Sequence, residues 1–164
     1  MTEQQKRKLL KLLEADCTMS LAQLAAAAGA PEGEAEAAIR AYEQEKIILG
    51  YKAIVDWDRT QEESVTALIE VKLQPQRDAG FDRIAERIYQ YEEVESLYLM
   101  SGAYDLAVTI SGRTLKEVAQ FVSQRLSPID GVTATATHFI LKKYKEKHLI
   151  YEKRPQQERE LIFS

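Results

Sequence analysis

Along the first third of the chain, apolar residues return at helical spacing. Leu9, Leu10, Leu12 and Leu13 form a stripe with Lys6, Arg7, Lys8 and Lys11 largely on the other side, which predicts an amphipathic helix. Ser20, with Gln23 three residues on, makes a capping box in which hydroxyl and carboxamide each satisfy a backbone N–H that a first helical turn leaves orphaned. It opens a second helix through Leu21, Leu24 and Ala25, and Gly29 stops it, because glycine tolerates the left-handed backbone of a helix end. Pro31 suits the first turn of a third helix whose inward residues are Ala35, Ala38, Ile39 and Tyr42. Two short helices around a glycine turn, with a supporting helix before them, predict a helix-turn-helix.

The stretch KIILGYKAIVDWD, Lys46 to Asp58, holds short β-prone runs broken at Gly50, and the polar RTQEES after it reads as a hinge. The expected boundary lies near Thr60. It separates a helix-turn-helix domain with a strand linker, 1–60, from a second domain, 61–164, whose period is different. Val65, Ala67, Ile69, Val71 and Leu73 alternate with Thr66, Glu70 and Lys72, the mark of a strand with one buried face. Phe81, Ile84, Ala85 and Ile88 switch back to helical spacing. Val94–Met100 and Asp105–Ser111 read as two strands joined through SGAYD. Thr114 with Glu117 caps a helix carrying Leu115, Val118, Ala119, Val122 and Leu126, which Pro128 and Gly131 end, and a last strand is expected from Val132 to about Tyr144. The order β-α-β-β-α-β predicts an α+β protein whose second domain is a ferredoxin-like sandwich, two helices covering one face of an antiparallel sheet. The uncovered face is left to water or to another subunit, and apolar residues on both faces favour a subunit.

Composition narrows the class. At 45% hydrophobic residues, 164 residues supply real cores, and a net charge of −4 gives no global basic field to draw the chain to nucleic acid. A single cysteine, Cys17, cannot form an internal disulfide. The N-terminal stretch lacks a signal peptide's continuous apolar run and cleavage site, and no apolar run approaches the roughly 20 residues a membrane helix needs, so no membrane association and a cytoplasmic location are expected. His138 and His148 have no second ligand nearby, no nucleophile–base order and no phosphate-cradling loop occurs, so no metal, no cofactor and no catalytic residue is expected.

Three stretches carry a family resemblance. ILGYKAIVDW (Ile48–Trp57) looks like the strand leaving the DNA-binding domain of the Lrp/AsnC, or feast/famine, regulators. SLYLMSGAYDLAVTI (Ser96–Ile110) resembles their central hairpin with its G-x-Y-D turn, and IDGVTATATHFILKKYK (Ile129–Lys145) their last strand, with Thr135 and Thr137 at two threonine positions. The resemblance spans nearly the whole chain. It implies a regulator of transcription that binds double-stranded DNA, forms a homodimer through its C-terminal sheets and assembles dimers into octamers. It also implies an amino acid effector near the hairpin turn, with Met100, Ser101, Gly102, Tyr104, Asp105, Thr135 and Thr137 as contacts.

That chemistry is reasonable on its own terms. A free amino acid carries an ammonium and a carboxylate, so its site needs a negative acceptor and N–H donors, which Asp105 and the backbone at Ser101 and Gly102 supply. G-x-Y-D is equally a good hairpin turn, so both readings stand.

The third helix poses the sharper question. PEGEAEAAIR carries Glu32, Glu34 and Glu36 with Arg40 as its one base, and the family's basic pair falls here on Ala37 and Ala38. From Met1 to Thr60 there are eight basic and ten acidic side chains, net −2. Glu32 and Glu34 favour the positive end of the helix dipole by roughly 0.3–1 kcal/mol, yet they oppose the counterion release that drives DNA binding. Glutamate accepts from cytosine N4 and alanine touches the thymine methyl, so Gly33, Glu36, Ala37 and Arg40 are the expected base-facing set, with Lys6 and Arg7 on phosphates. The alternative is a ligand-sensing or hetero-assembly module that has lost DNA reading. The tail's apolar end, Leu161, Ile162 and Phe163, is expected to dock on a neighbouring subunit or on its own sheet.

Overall fold

The computed structural model describes residues 1–74 and 80–151; the tail residues Leu161, Ile162 and Phe163 lie outside them. The chain divides into two units, Met1–Val55 and Asp56–Ser164.

In the first unit, helices α1 (Glu3–Ala15), α2 (Leu21–Ala28) and α3 (Glu32–Gln44) enclose Leu9, Leu24, Ala25, Ala28 and Ala35. Three alanines in that core let the helix axes approach closely. The Ser20–Gln23 capping box is present and Gly29 holds φ 73° at the end of α2. A second box caps α1: the Thr2 hydroxyl accepts from Gln5 N–H and the Gln5 carboxamide from Thr2 N–H. The Gln5 carboxamide also donates to the Gly29 carbonyl, tying α1 to the turn between α2 and α3. Pro31 stands one position earlier than expected, at the N-cap, and its carbonyl accepts from Glu34 and Ala35.

The strand expected in 46–58 is not formed. Lys46 turns the chain out of α3 at φ 59°, Ile47 and Ile48 both donate to the Tyr42 carbonyl, and only a 3₁₀ turn, Trp57–Arg59, follows. A strand requires a hydrogen-bonded neighbour, and among the described residues none pairs with this run. Its apolar side chains consequently face solvent, Leu49 at 88% and Trp57 at 51% exposure.

The second unit orders β1 (Val65–Leu73), α4 (Gly80–Tyr89), β2 (Val94–Leu99), β3 (Leu106–Gly112), α5 (Leu115–Phe121) and β4 (Val132–Phe139), with the sheet in the order β2-β3-β1-β4 and every neighbour antiparallel. This is the ferredoxin-like sandwich. Ala67, Ile69, Val71 and Leu73 of β1 join Leu106, Val108 and Ile110 of β3 beneath Ile84, Ile88, Val118 and Phe121 of the helices. Alternation sends Leu68, Glu70, Lys72, Tyr98, Thr109, Ala134, Ala136 and His138 to the opposite face. That face is therefore mixed rather than apolar, and it carries the Glu70–His138 contact at 3.5 Å.

Two elements depart from expectation. The helix after Thr114 loosens into a π-helical turn at Val122–Leu126. The last strand ends at Phe139 because β1 begins at Val65 and the ladder runs out: Ile140 N–H donates to the Thr66 carbonyl, the last bond between the two strands among the described residues. A small hairpin follows, β5 (Lys145–Glu146) with β6 (Leu149–Ile150), turning at Lys147 and His148 with φ of 45° and 70°. Positive φ at both central residues is type I′ geometry, which Asn-Gly advertises and Lys-His does not.

Candidate functional site

α3 resolves the problem of its own acidity. Ala35, Ala38 and Ile39 pack in the core and, with about 100° of rotation per residue, the half-buried Tyr42 follows on their side, which leaves Gly33, Ala37, Arg40 and Gln44 along the opposite ridge, all four exposed. The carboxylates flank that ridge: Glu32, Glu36 and Glu43 lie to one side and Glu34 to the other. Three of them are also engaged. Glu34 meets the Met1 ammonium, Glu36 Oε1 lies 2.5 Å from Arg40 Nη2, and Glu43 accepts from the Tyr51 hydroxyl at 2.9 Å. Burial, and then the bond to Glu43, hold the Tyr51 phenol above its usual pKa. A Cβ at Gly33 would meet nothing within 4 Å, so the ridge offers small side chains, one guanidinium and one carboxamide to a groove.

The basic cluster of α1 is less available than its spacing implied. Lys6 is half-buried and bonds Glu3 at 2.8 Å; that bond first, the Glu3 charge next, and the nearby Tyr42 and Glu45 hold its ammonium pKa above the ordinary value. Arg7, Lys8 and Lys11 are exposed.

The hairpin turn places its residues unevenly. Met100, Ser101 and Gly102 are exposed, Tyr104 and Asp105 half-buried. Asp105 is already employed: its Oδ2 accepts the Leu73 N–H at 2.7 Å, its own N–H donates to the Val71 carbonyl and its carbonyl accepts from Met100. Among the described residues no hydrogen bond reaches the other carboxylate oxygen, Oδ1, which can meet an ammonium. Thr135 and Thr137 pair with Val71 and Ile69 on the far side of β1, two strands or about 10 Å from β3. They face the helix layer, where the Thr135 hydroxyl lies 3.3 Å from that of Ser127. Turn and threonines thus form two separate patches within one chain.

Sequence spacing missed a groove of about 390 Å³ between α4 and the edge strand β2. Phe81, Leu97 and Leu106 line it with Asp82 and Glu95, and it reaches the base of the hairpin at the Leu99–Leu106 pair. No local sequence signal marks it, since Leu99 reads as an ordinary strand residue and only the fold leaves it 61% exposed. Among the described residues no group of three His, Cys, Asp or Glu side chains is placed to hold a metal ion, and no helix is long and apolar enough to cross a membrane.

Comparison with known proteins places these features in a family. Residues 66–150 match the model of the Lrp/AsnC ligand binding domain. The HTH-type transcriptional regulator YugG of Bacillus subtilis is 47% identical over 146 residues, 88% of either chain. The HTH-type transcriptional regulator LrpA of Pyrococcus horikoshii is 27% identical, covering 88% of this chain and 100% of its own. Among solved structures, a transcriptional regulator of Neisseria meningitidis in complex with L-methionine shares the fold at a TM-score of 0.73 and 19% identity, over 89% of this chain and 94% of that one.

Proposed function

The chain belongs to the Lrp/AsnC family of transcriptional regulators, and from that premise we propose that it binds double-stranded DNA through α3, works in the cytoplasm as a homodimer or a larger assembly of dimers, and responds to an amino acid. It regulates rather than catalyses. The observation that carries DNA binding is the carboxylate-free ridge of Gly33, Ala37, Arg40 and Gln44, which can enter a major groove with Glu36 beside Arg40 at its edge, while Glu32, Glu34 and Glu43 stay at its flanks. Arg7, Lys8 and Lys11 then supply phosphate contacts, and Lys6 is a weaker candidate because Glu3 holds it. A chain with this little positive charge depends on avidity, and two or more reading heads in one assembly raise weak contacts by two or more orders of magnitude.

For the effector, the turn at Met100–Asp105 remains the candidate, with Asp105 Oδ1 toward the ammonium and the Ser101 and Gly102 amides toward the carboxylate. Thr135 and Thr137 join that site only if a second subunit brings its own threonines to the turn. The ligand acts by binding one assembly better than another.

Selection of genomic fragments with purified protein, followed by anisotropy titrations of the best fragment at several salt concentrations, tests the first part. A steeply salt-dependent isotherm is expected. No enriched fragment, with oligomers intact, would make the chain a ligand-sensing or mixed-assembly module. Thermal melts with single amino acids, methionine first, test the second: a saturable rise in the midpoint is expected, and a flat response to all of them removes the effector proposal.

A further inference from the structure

We infer that Glu36 and Arg40 act together as one reading unit for a single G·C base pair. The inference rests on the proposal that α3 enters a major groove, and it adds which base pair the helix demands. The two residues sit one turn apart, at i and i+4, with Glu36 Oε1 accepting from Arg40 Nη2 at 2.5 Å. Glu36 keeps 47% of its side-chain surface exposed and Arg40 70%, so neither is spent inside the protein.

Their remaining hydrogen-bond capacity has a defined order. Arg40 retains four of its five N–H donors after the bond to Glu36, enough for a bidentate contact, and Glu36 retains a free carboxylate oxygen. Read across the pair, the unit offers two donors and then an acceptor. The major-groove edge of a G·C pair offers the complement, with two acceptors at guanine N7 and O6 followed by a donor at cytosine N4. An A·T pair offers acceptor, donor, acceptor, which sets the adenine amino group against the guanidinium. The bond within the pair also biases the guanidinium toward Glu36 before DNA arrives, so somewhat less side-chain freedom is lost on binding. Gly33 and Ala37, the small exposed residues next to the pair on the ridge, leave it standing clear of its neighbours there.

This assignment explains why an acidic side chain stands beside the one base of a DNA-reading helix. Glu36 costs affinity for phosphate in general and returns preference for one base pair. Arg40 alone on a phosphate would do the opposite, raising affinity for all sequences equally.

The test replaces each base pair of the selected operator in turn, with wild type, E36Q, R40A and E36Q/R40A titrated in parallel and their melting curves recorded. In the wild type, one G·C position per half-site should lose about 5- to 150-fold on change to A·T. E36Q should shrink that ratio at the same position, since a carboxamide also serves adenine, while binding non-specific DNA at least as well. R40A should abolish it, and the double variant should lose no more than R40A, with melting midpoints unchanged. If R40A instead weakens every operator equally and lowers the salt slope by about one with the base preference intact, Arg40 is a phosphate clamp and the unit is refuted, though DNA binding stands. If wild type binds no DNA, this inference falls with the proposal beneath it.

Discussion

The Asp105 carboxylate takes the backbone N–H of Leu73 at 2.7 Å, so the turn between β2 and β3 is fastened to the end of β1 by a side chain that the sequence nominated for ligand binding. Structural and effector roles fall on one residue. Asp105→Ala leaves a half-buried N–H without its acceptor and is expected to cost about 1–3 kcal/mol in urea unfolding, whereas Asp105→Asn, which keeps an acceptor oxygen, should cost less than half as much. Any amino-acid response is therefore best judged in Asp105→Asn; loss of response there, with stability near wild type, would separate the two roles.

Gly131 and Gly29 both adopt positive φ, 93° and 73°, but their surroundings differ. A Cβ at Gly131 would lie 2.7 Å from Ile84 Cδ1 in the core, while one at Gly29 would meet only Gln5 Nε2 at 4.0 Å. Gly29→Ala carries the backbone penalty alone, about 1–2 kcal/mol. Gly131→Ala adds overpacking of about 1–3 kcal/mol. Denaturation followed by circular dichroism should rank Gly131→Ala as clearly the more damaging; equal losses would mean that Ile84 yields freely.

How much of this was legible depended on whether the cause was local. The Ser20–Gln23 and Thr114–Glu117 pairs mark helix starts because cap and partner lie within four residues, and the identical signal at Thr2 and Gln5 was there to be read. The alternation in Val65–Leu73 revealed a half-buried strand without reference to its neighbours. By contrast, the end of β4 at Phe139 is decided by where β1 starts, more than sixty residues away. The employment of Asp105 by Leu73 is likewise non-local. In α3 the residue types were plain, but the sorting of ridge from flanks needed the core direction that Ala35 and its neighbours define.

Tyr151 closes the β5–β6 hairpin by donating its hydroxyl to Glu146 at 2.7 Å. That bond, then burial, then the charges of Glu146, Asp56 and Asp58 push the phenol up to about 12. A raised pKa on this acid means that the protonated form is the one the fold favours, so the contribution is whole below about pH 10 and fades as pH rises toward 12. Ultraviolet titration of wild type beside Tyr151→Phe should show that the variant lacks one tyrosinate that appears near pH 12 in the wild type; identical curves up to that pH would mean that Glu146 does not hold the phenol.

Trp57, the only tryptophan of the chain, reports on the run whose strand failed to form. Ile47, Leu49, Tyr51, Ile54, Val55 and Trp57 are each at least 42% exposed, although their types are those of a strand. Among the described residues nothing pairs with this run, so a second copy is a natural source of a ladder and a dry neighbour, and burying Leu49 alone is worth about 1.5–3 kcal/mol. If the proposed assembly forms through this run, dilution of the protein should shift Trp57 emission to longer wavelength as copies separate. Leu49→Asp should give the red-shifted, dilute-limit spectrum at every concentration, with a lower mass in sedimentation. Unchanged wild-type emission across a dilution range in which sedimentation shows the copies separating would place the interface on the sheet face that carries Glu70 and His138 instead, and His138→Ala would then be the variant that changes the mass.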